Sequence, residues 1–287
     1  MNQYLNNLRF IFYTNEKNLH LIELSLKYFF KYNTNSNVKV SVVSNKIIDF
    51  ETLPFKDKVS YINADINFNS GGFHFSDTMK YALKEIKEEY IFFFCDDYFF
   101  TDYTKFDDLE KLLGMIINEN IDYFGFDTVA GQEVYNWVPF KSTYSNFPED
   151  YFYLRNNDYR YVYSVQPSIW KKTSLQKIVN SNDFSLHNLD ETRKDLVQEN
   201  YKCIAKCNKA ISTVNDFWPY SGDYFVINYL ESVRHGVFLH SINLSTSDSN
   251  YPVVRFNDKL IEEENLLQNL EFDKLLYKIS PRWNNKN

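Results

Sequence analysis

The chain has 287 residues, 44% apolar and 18% aromatic with 26 Phe and 23 Tyr, which is too much apolar material for a disordered protein. A formal net charge of −7 and a pI near 5.3 exclude general attraction to phosphate backbones or anionic lipid, and with it a nonspecific nucleic-acid binder. No apolar run approaches the roughly 20 residues that span a bilayer, and MNQYLNNLRF lacks a secretion signal's charged start and apolar core, so a cytoplasmic protein without a transmembrane segment is expected. Three cysteines, with Cys95 inside an apolar run, point to reduced thiols, and Cys203 and Cys207 lack the second ligand pair that would make a zinc site.

In chain order, LRFIFYTN from Leu8 to Asn15 is apolar, β-favouring and closed by turn residues. The following segment repeats Leu19, Ile22, Leu26 and Phe29/Phe30 at helical spacing. VKVSVVSN (Val38 to Asn45) and VSYINA (Val59 to Ala64) are two further short strands. FSDTMKYALKEIK puts Met79, Leu83 and Ile86 on one helix face, with Ser76 or Asp77 as the N-cap. Then Tyr90 to Cys95 is apolar without interruption, as expected of a strand covered by helices on both faces.

FDDLEKLLGMIINE (Phe106 to Glu119) reads as a helix and IDYFGFD (Ile121 to Asp127) as a strand. From Gly131 to Asn157 the aromatic, Asn- and Pro-rich sequence suits surface loops or a short hairpin. Periodic structure resumes at RYVYSVQPSIW, followed by KKTSLQKIVNS as a helix and a polar, acidic helix around HNLDETRKDLVQEN. DYFVINYLESVRHGVFLHSINL mixes strand and helix signals, and the last thirty or so residues read as an amphipathic helical tail. Alternating strands and helices imply an α/β fold with a mixed, mainly parallel sheet flanked by helices, whose ligands collect at the carboxyl ends of strands.

Asp96 and Asp97 lie at such an end, directly after the apolar run. Adjacent carboxylates in a partly desolvated setting are costly unless a cation or donor compensates them. Hard oxygen ligands suit Mg²⁺ or Mn²⁺, which complete their shells with substrate phosphates and water. The alternative is that the pair ends a strand, one Asp capping the next segment and the other facing water. Gly71-Gly72, just before the helix at Ser76, would let the backbone approach a diphosphate, with the helix N-terminus supplying N–H groups; loop flexibility explains the same pair. Trp137, Trp170 and Trp218 can stack on a sugar or base, or pack in the core.

The segment FSDTMKYALKEIKEEYIFFFCDDYFFTD resembles the helix, strand and acidic motif of GT-A glycosyltransferases, whose D-x-D-like motif ends a central strand. Here Cys95-Asp96-Asp97 replaces Asp-x-Asp. The resemblance extends in patches over residues 8 to 240, through SVQPSIWKKTSLQKIV and HNLDE to INYLESVRHG. It implies a GT-A, Rossmann-like catalytic domain over residues 1–245, with a nucleotide-sugar half (1–128), an acceptor half (129–245) and a helical tail (246–287).

By the same resemblance Asp97 contacts the metal, and Asp96 binds it through water or touches the ribose. Thr14 and Asn15 hold the base or ribose, while Gly72 and Ser76 flank the diphosphate. Gln166, Trp170 and Trp137 line the acceptor side, and Asp190 or Glu191 takes the acceptor's proton. The implied activity is metal-assisted sugar transfer from a nucleoside diphosphate, a UDP-sugar by family habit, with Mn²⁺ or Mg²⁺ as cofactor. The acceptor would be a surface glycan or, since the Asn/Lys/Tyr-rich composition also fits a virus acting in a host cytoplasm, a hydroxymethylated DNA base. Two other classes compete. A nucleotidyltransferase requires a Gly-rich basic loop after the first strand, which TNEKNLH does not resemble; a non-catalytic glycan-binding protein would keep the fold without metal-dependent nucleotide binding.

Overall fold

The computed structural model describes residues 3–14, 19–33, 37–46, 55–64, 75–96, 98–100, 104, 106–126, 138–143, 152–154, 163, 167–181, 203–206 and 226–228. The uninterrupted apolar run of Tyr90–Cys95 forms β4, and every one of its six residues is buried. Burial on both faces follows from its place in the sheet. β1 (Leu8–Thr14) lies parallel to it on one side, and β2 (Lys39–Ser44) and β3 (Val59–Asn63) continue the parallel array outward. On the other side β9 (Ser168–Lys171) runs antiparallel between β4 and β6 (Tyr123–Gly125). β10 (Cys203–Lys206) follows, parallel to β6, and the hairpin of β7 (Val138–Phe140) and β8 (Phe152–Leu154) closes that edge. The spatial order is β3-β2-β1-β4-β9-β6-β10-β8-β7. All of these strands except β9 and β8 point one way, which is the mixed, mainly parallel sheet expected.

Period-two alternation divides the side chains of β1 between two helical layers. Phe10 and Phe12 face α1 (Leu19–Tyr32), where the Phe29 ring lies 5.2 and 5.3 Å from theirs. Tyr13 faces the opposite layer, its ring 5.1 Å from Phe75 at the start of α2 (Phe75–Glu85). Fully burying one such ring contributes roughly 2–3 kcal/mol, so this aromatic sandwich supplies much of the driving force for the first half. α4 (Lys172–Ser181) lies beside α2: Lys172 Nζ donates to Ile86 O at 2.7 Å and Gln176 Nε2 to Leu83 O at 3.4 Å. These donors satisfy carbonyls at the end of α2, where a cation also complements the helix dipole.

α3 (Phe106–Asn118) holds the amino-terminal 3-10 turn Leu5–Asn7. Glu110 accepts the backbone N–H groups of Tyr4 and Leu5, each at 2.8 Å. A second ribbon pairs β5 (Tyr98–Phe100) antiparallel with β11 (Val226–Asn228). It is anchored to α1 by Ser25 Oγ, which donates to Tyr98 O at 2.8 Å, and by the Phe29 and Phe100 rings, 5.0 Å apart.

Several expectations change. The helix after Gly72 begins at Phe75, so Ser76 sits inside its first turn instead of preceding it as a cap. The strand expected over Ile121 to Asp127 is regular only over Tyr123–Gly125, although Asp122 O still accepts Lys171 N at 2.9 Å and Phe126 N donates to Pro167 O at 3.0 Å; Asp127 lies outside the described residues. The Gly131 to Asn157 stretch does contain a hairpin, and the mixed carboxy-terminal segment contributes strand at β11. The acidic helix around Asp190 and the tail over residues 246–287 lie outside the described residues. No helix among the described residues is long and apolar enough to cross a membrane.

Candidate functional site

The chain leaves β1 toward β2 on one side and returns through α2 to β4 on the other, so the order of strands reverses between β1 and β4. In open α/β sheets this reversal opens a crevice at the carboxyl ends of the two strands. The residues there are Thr14 and Asp96. Thr14 Oγ1 donates to Asp96 Oδ2 at 2.6 Å, and Asp96 N donates to Tyr13 O at 2.9 Å. Asp96 is 4% exposed and Thr14 0%, so the carboxylate is sunk into the sheet end and held by consecutive residues of β1.

The neighbouring strand ends are polar too. Thr14 pairs in register with Ser44, and Ser44 with Asn63. Asn45, 8% exposed, and Asn63 each carry a side-chain Oδ1 that is buried without a hydrogen-bond partner. A buried acceptor left unmet costs about 1–3 kcal/mol, so such atoms in a row of strand ends ask for N–H or O–H donors. On the layer facing α2, burial pushes the Tyr13 phenol well above its ordinary range; the neighbouring Cys95 and Asp96 add to this, and a hydrogen bond with Thr78 opposes it. Tyr13 is therefore a neutral wall of the corner.

Of the residues expected at the site, the structure brings Thr14 and Asp96 together. Ser76 is fully buried within α2, so it offers no side chain to a diphosphate as placed here. Trp170 is not an acceptor platform. It is 2% exposed, pairs in register with Ile91 near the amino end of β4, and gives its Nε1–H to Ser168 Oγ at 2.9 Å. Its ring lies 4.6 Å from that of Tyr123. Asp96 is five positions further along β4, about 16 Å away at strand rise, so Trp170 is core at the other end of the sheet. Asn15, Gly72, Asp97, Trp137, Gln166, Asp190 and Glu191 lie outside the described residues.

Sequence reading passed over Ser25, Asn45 and Asn63. Asn45 and Asn63 do share a signal, each being the polar residue that closes a β-branched run, as Thr14 closes β1. Among the described residues no group of three or more His, Cys, Asp or Glu side chains gathers in metal-binding geometry. The donor chemistry nonetheless fits a hard cation: Asp96 offers a carboxylate at a crevice, oriented by a hydroxyl in the way supporting groups orient metal ligands.

No protein-family model matches the chain, and no curated protein does. Among solved structures it is similar to S. aureus TarS 1-349, at 16% identity and a TM-score of 0.42, covering 90% of this chain and 73% of that one. A longer S. aureus TarS structure gives 15% identity and a TM-score of 0.43 over 88% of this chain and 43% of the other. TarS 1-349 in complex with UDP-GlcNAc gives 14% and 0.41 over 89% and 72%. Scores this low carry no argument about the chemistry of this chain.

Proposed function

We propose that this protein is a glycosyltransferase that moves a sugar from a nucleoside diphosphate, a UDP-sugar in the first instance, to an acceptor hydroxyl with the help of Mn²⁺ or Mg²⁺. The observation that carries this reading is the buried Asp96 carboxylate, held by Thr14 at 2.6 Å at the switch point between β1 and β4. A dinucleotide-like or nucleotide-sugar ligand is what such a crevice accommodates in open α/β sheets.

Asp96, with Asp97 next to it in sequence, would hold the cation, which when bound neutralises charge developing on the diphosphate leaving group. The chain's own contribution is to fix that carboxylate and keep it in a largely desolvated corner, where its interaction with charge is stronger than in water. Asp190 and Glu191 are the candidates for taking the acceptor's proton, and the acceptor is a glycan or a hydroxymethylated nucleobase.

Titration calorimetry with UDP and UDP-sugars, with and without Mn²⁺, tests the reading. Mn²⁺-dependent binding, weakened at least about tenfold by Asp96→Asn or Asp97→Ala, is the expected result. Metal-independent binding, or binding unchanged in both variants, overturns it.

A further inference from the structure

The residue that closes β1 has a role other than nucleoside contact. We infer that Thr14 is a positioning residue, whose hydroxyl fixes the carboxylate of Asp96; this rests on the nucleotide-sugar reading above for what the fixed carboxylate is used for. Three observations carry it. The hydroxyl has a single proton, and it is given to Asp96 Oδ2 at 2.6 Å, within the range of a charge-assisted O–H···O⁻ bond. Thr14 has no exposed surface, so its hydroxyl is not presented to a ligand, whereas Asp96 keeps 4%. The adjacent backbone bond, Asp96 N to Tyr13 O at 2.9 Å, fixes the main chain of the same residue, so backbone and side chain of Asp96 are both referred to β1.

The choice of residue matters. A β-branched side chain in a strand has restricted χ1, so the Thr14 hydroxyl is aimed before any ligand arrives. Removing the hydroxyl takes this donor from Oδ2 and loosens the hold of β1 on the Asp96 side chain. The expected consequence is a loss of metal affinity without a change in which base is preferred, since supporting hydrogen bonds to a metal ligand are commonly worth 10- to 100-fold in affinity.

The experiment has two arms. In the first, thermal unfolding without metal or nucleotide is measured for Thr14→Val, Asp96→Ala and the double variant. The inference expects the midpoint shift of Thr14→Val to shrink markedly once Asp96 is gone; additive shifts overturn it. In the second, Mn²⁺ affinity is followed through the electron paramagnetic resonance signal of free Mn²⁺ in the presence of UDP, and competition by CDP and ADP gives base preference. Thr14→Val should weaken Mn²⁺ binding by about tenfold or more with base preference unchanged, and Thr14→Ser should restore it to within about threefold. Intact Mn²⁺ affinity with lost base preference would make Thr14 a nucleoside contact and overturn the inference. Coupled unfolding shifts together with no Mn²⁺-dependent UDP binding in the unaltered protein would instead remove the nucleotide-sugar reading and leave Thr14 as the anchor of Asp96.

Discussion

Arg9 and Glu88 meet in a two-bond ion pair that ties the start of β1 to the approach of β4, with Nε to Oε2 at 2.9 Å and Nη2 to Oε1 at 3.1 Å. Lys39 Nζ adds a third bond to Oε1 at 2.9 Å, so one buried carboxylate fastens the amino ends of three adjacent strands. This is the end of the sheet away from Asp96, and the cluster fixes the register on which the switch-point corner depends.

Burial alone would raise the Glu88 carboxyl, but the hydrogen bonds from Arg9 and Lys39 outweigh it and hold the group down at about 2. A carboxylate depressed in the folded state contributes stability that is fully present above its ordinary value near 4.5 and is lost as pH falls toward 2. A depression of this size corresponds to about 3 kcal/mol. Denaturant unfolding followed from pH 6 down to pH 2 should therefore show a steep acid loss that flattens in Glu88→Gln. The variant itself should be less stable at neutral pH by about 2–4 kcal/mol, because it leaves two cations facing a neutral group.

At the alkaline end Tyr90 sets the opposite limit. Burial first, then the nearby Glu89 and Asp122 charges, push its phenol up to about 12. The unfolded chain ionises near 10 while the folded one does not, so stability should decline between about pH 10 and 12, and Tyr90→Phe should remove part of that decline in the same assay.

Gly114 and Tyr4 should couple. A Cβ added at Gly114 would stand 3.0 Å from Tyr4 Cε2, so Gly114→Ala has to displace that ring. The helix preference of Ala over Gly, roughly 1 kcal/mol, is then offset in the unaltered protein but realised when Tyr4 is also Ala. A double-mutant cycle by urea denaturation should give a coupling of at least about 0.5 kcal/mol; additive effects would mean that the ring yields freely.

Trp170→Phe should lower stability by about 1–3 kcal/mol through lost volume and the lost bond to Ser168, while leaving Mn²⁺-dependent UDP binding intact. A change in nucleotide affinity at unchanged unfolding midpoint would return Trp170 to the site.

Ser25→Ala tests the other support of the corner. It deletes the donor to Tyr98 O, the carbonyl two residues beyond Asp96, and should cost about 1–2 kcal/mol by thermal unfolding.

What the sequence made legible was local. Tyr90–Cys95 declared itself because six consecutive apolar residues, aromatic and β-branched in the main and too short for a buried helix, suit a strand covered on both faces, and α2 and α3 because their apolar residues keep helical spacing. The doublet after β4 stood out because apolar residues lead directly into charge, and Asp96, its first member, ends at the switch point beside Thr14. The insertion of β9 between β4 and β6 was not, since antiparallel pairing across some 75 residues of sequence leaves no periodic trace. β5, β10 and β11 are three or four residues long, below the length at which alternation can be told from chance. Thr14 could be placed at a strand end but not assigned its partner, which is 82 residues away. Trp170 was misplaced because an aromatic that stacks on a sugar and one that packs edge-on against Tyr123 look the same in one dimension.

The place of β9 has a consequence for how the chain is made. During synthesis the parallel array β3-β2-β1-β4 can assemble from residues 8–95, yet the far edge of β4 waits for residues 168–171 before its backbone groups find partners. Until then Ile-Phe-Phe-Phe presents an open, uncharged edge of the kind that recruits other chains into aggregates. A fragment ending at residue 128 should precipitate where one ending at residue 181, which supplies both β9 and α4, stays dispersed.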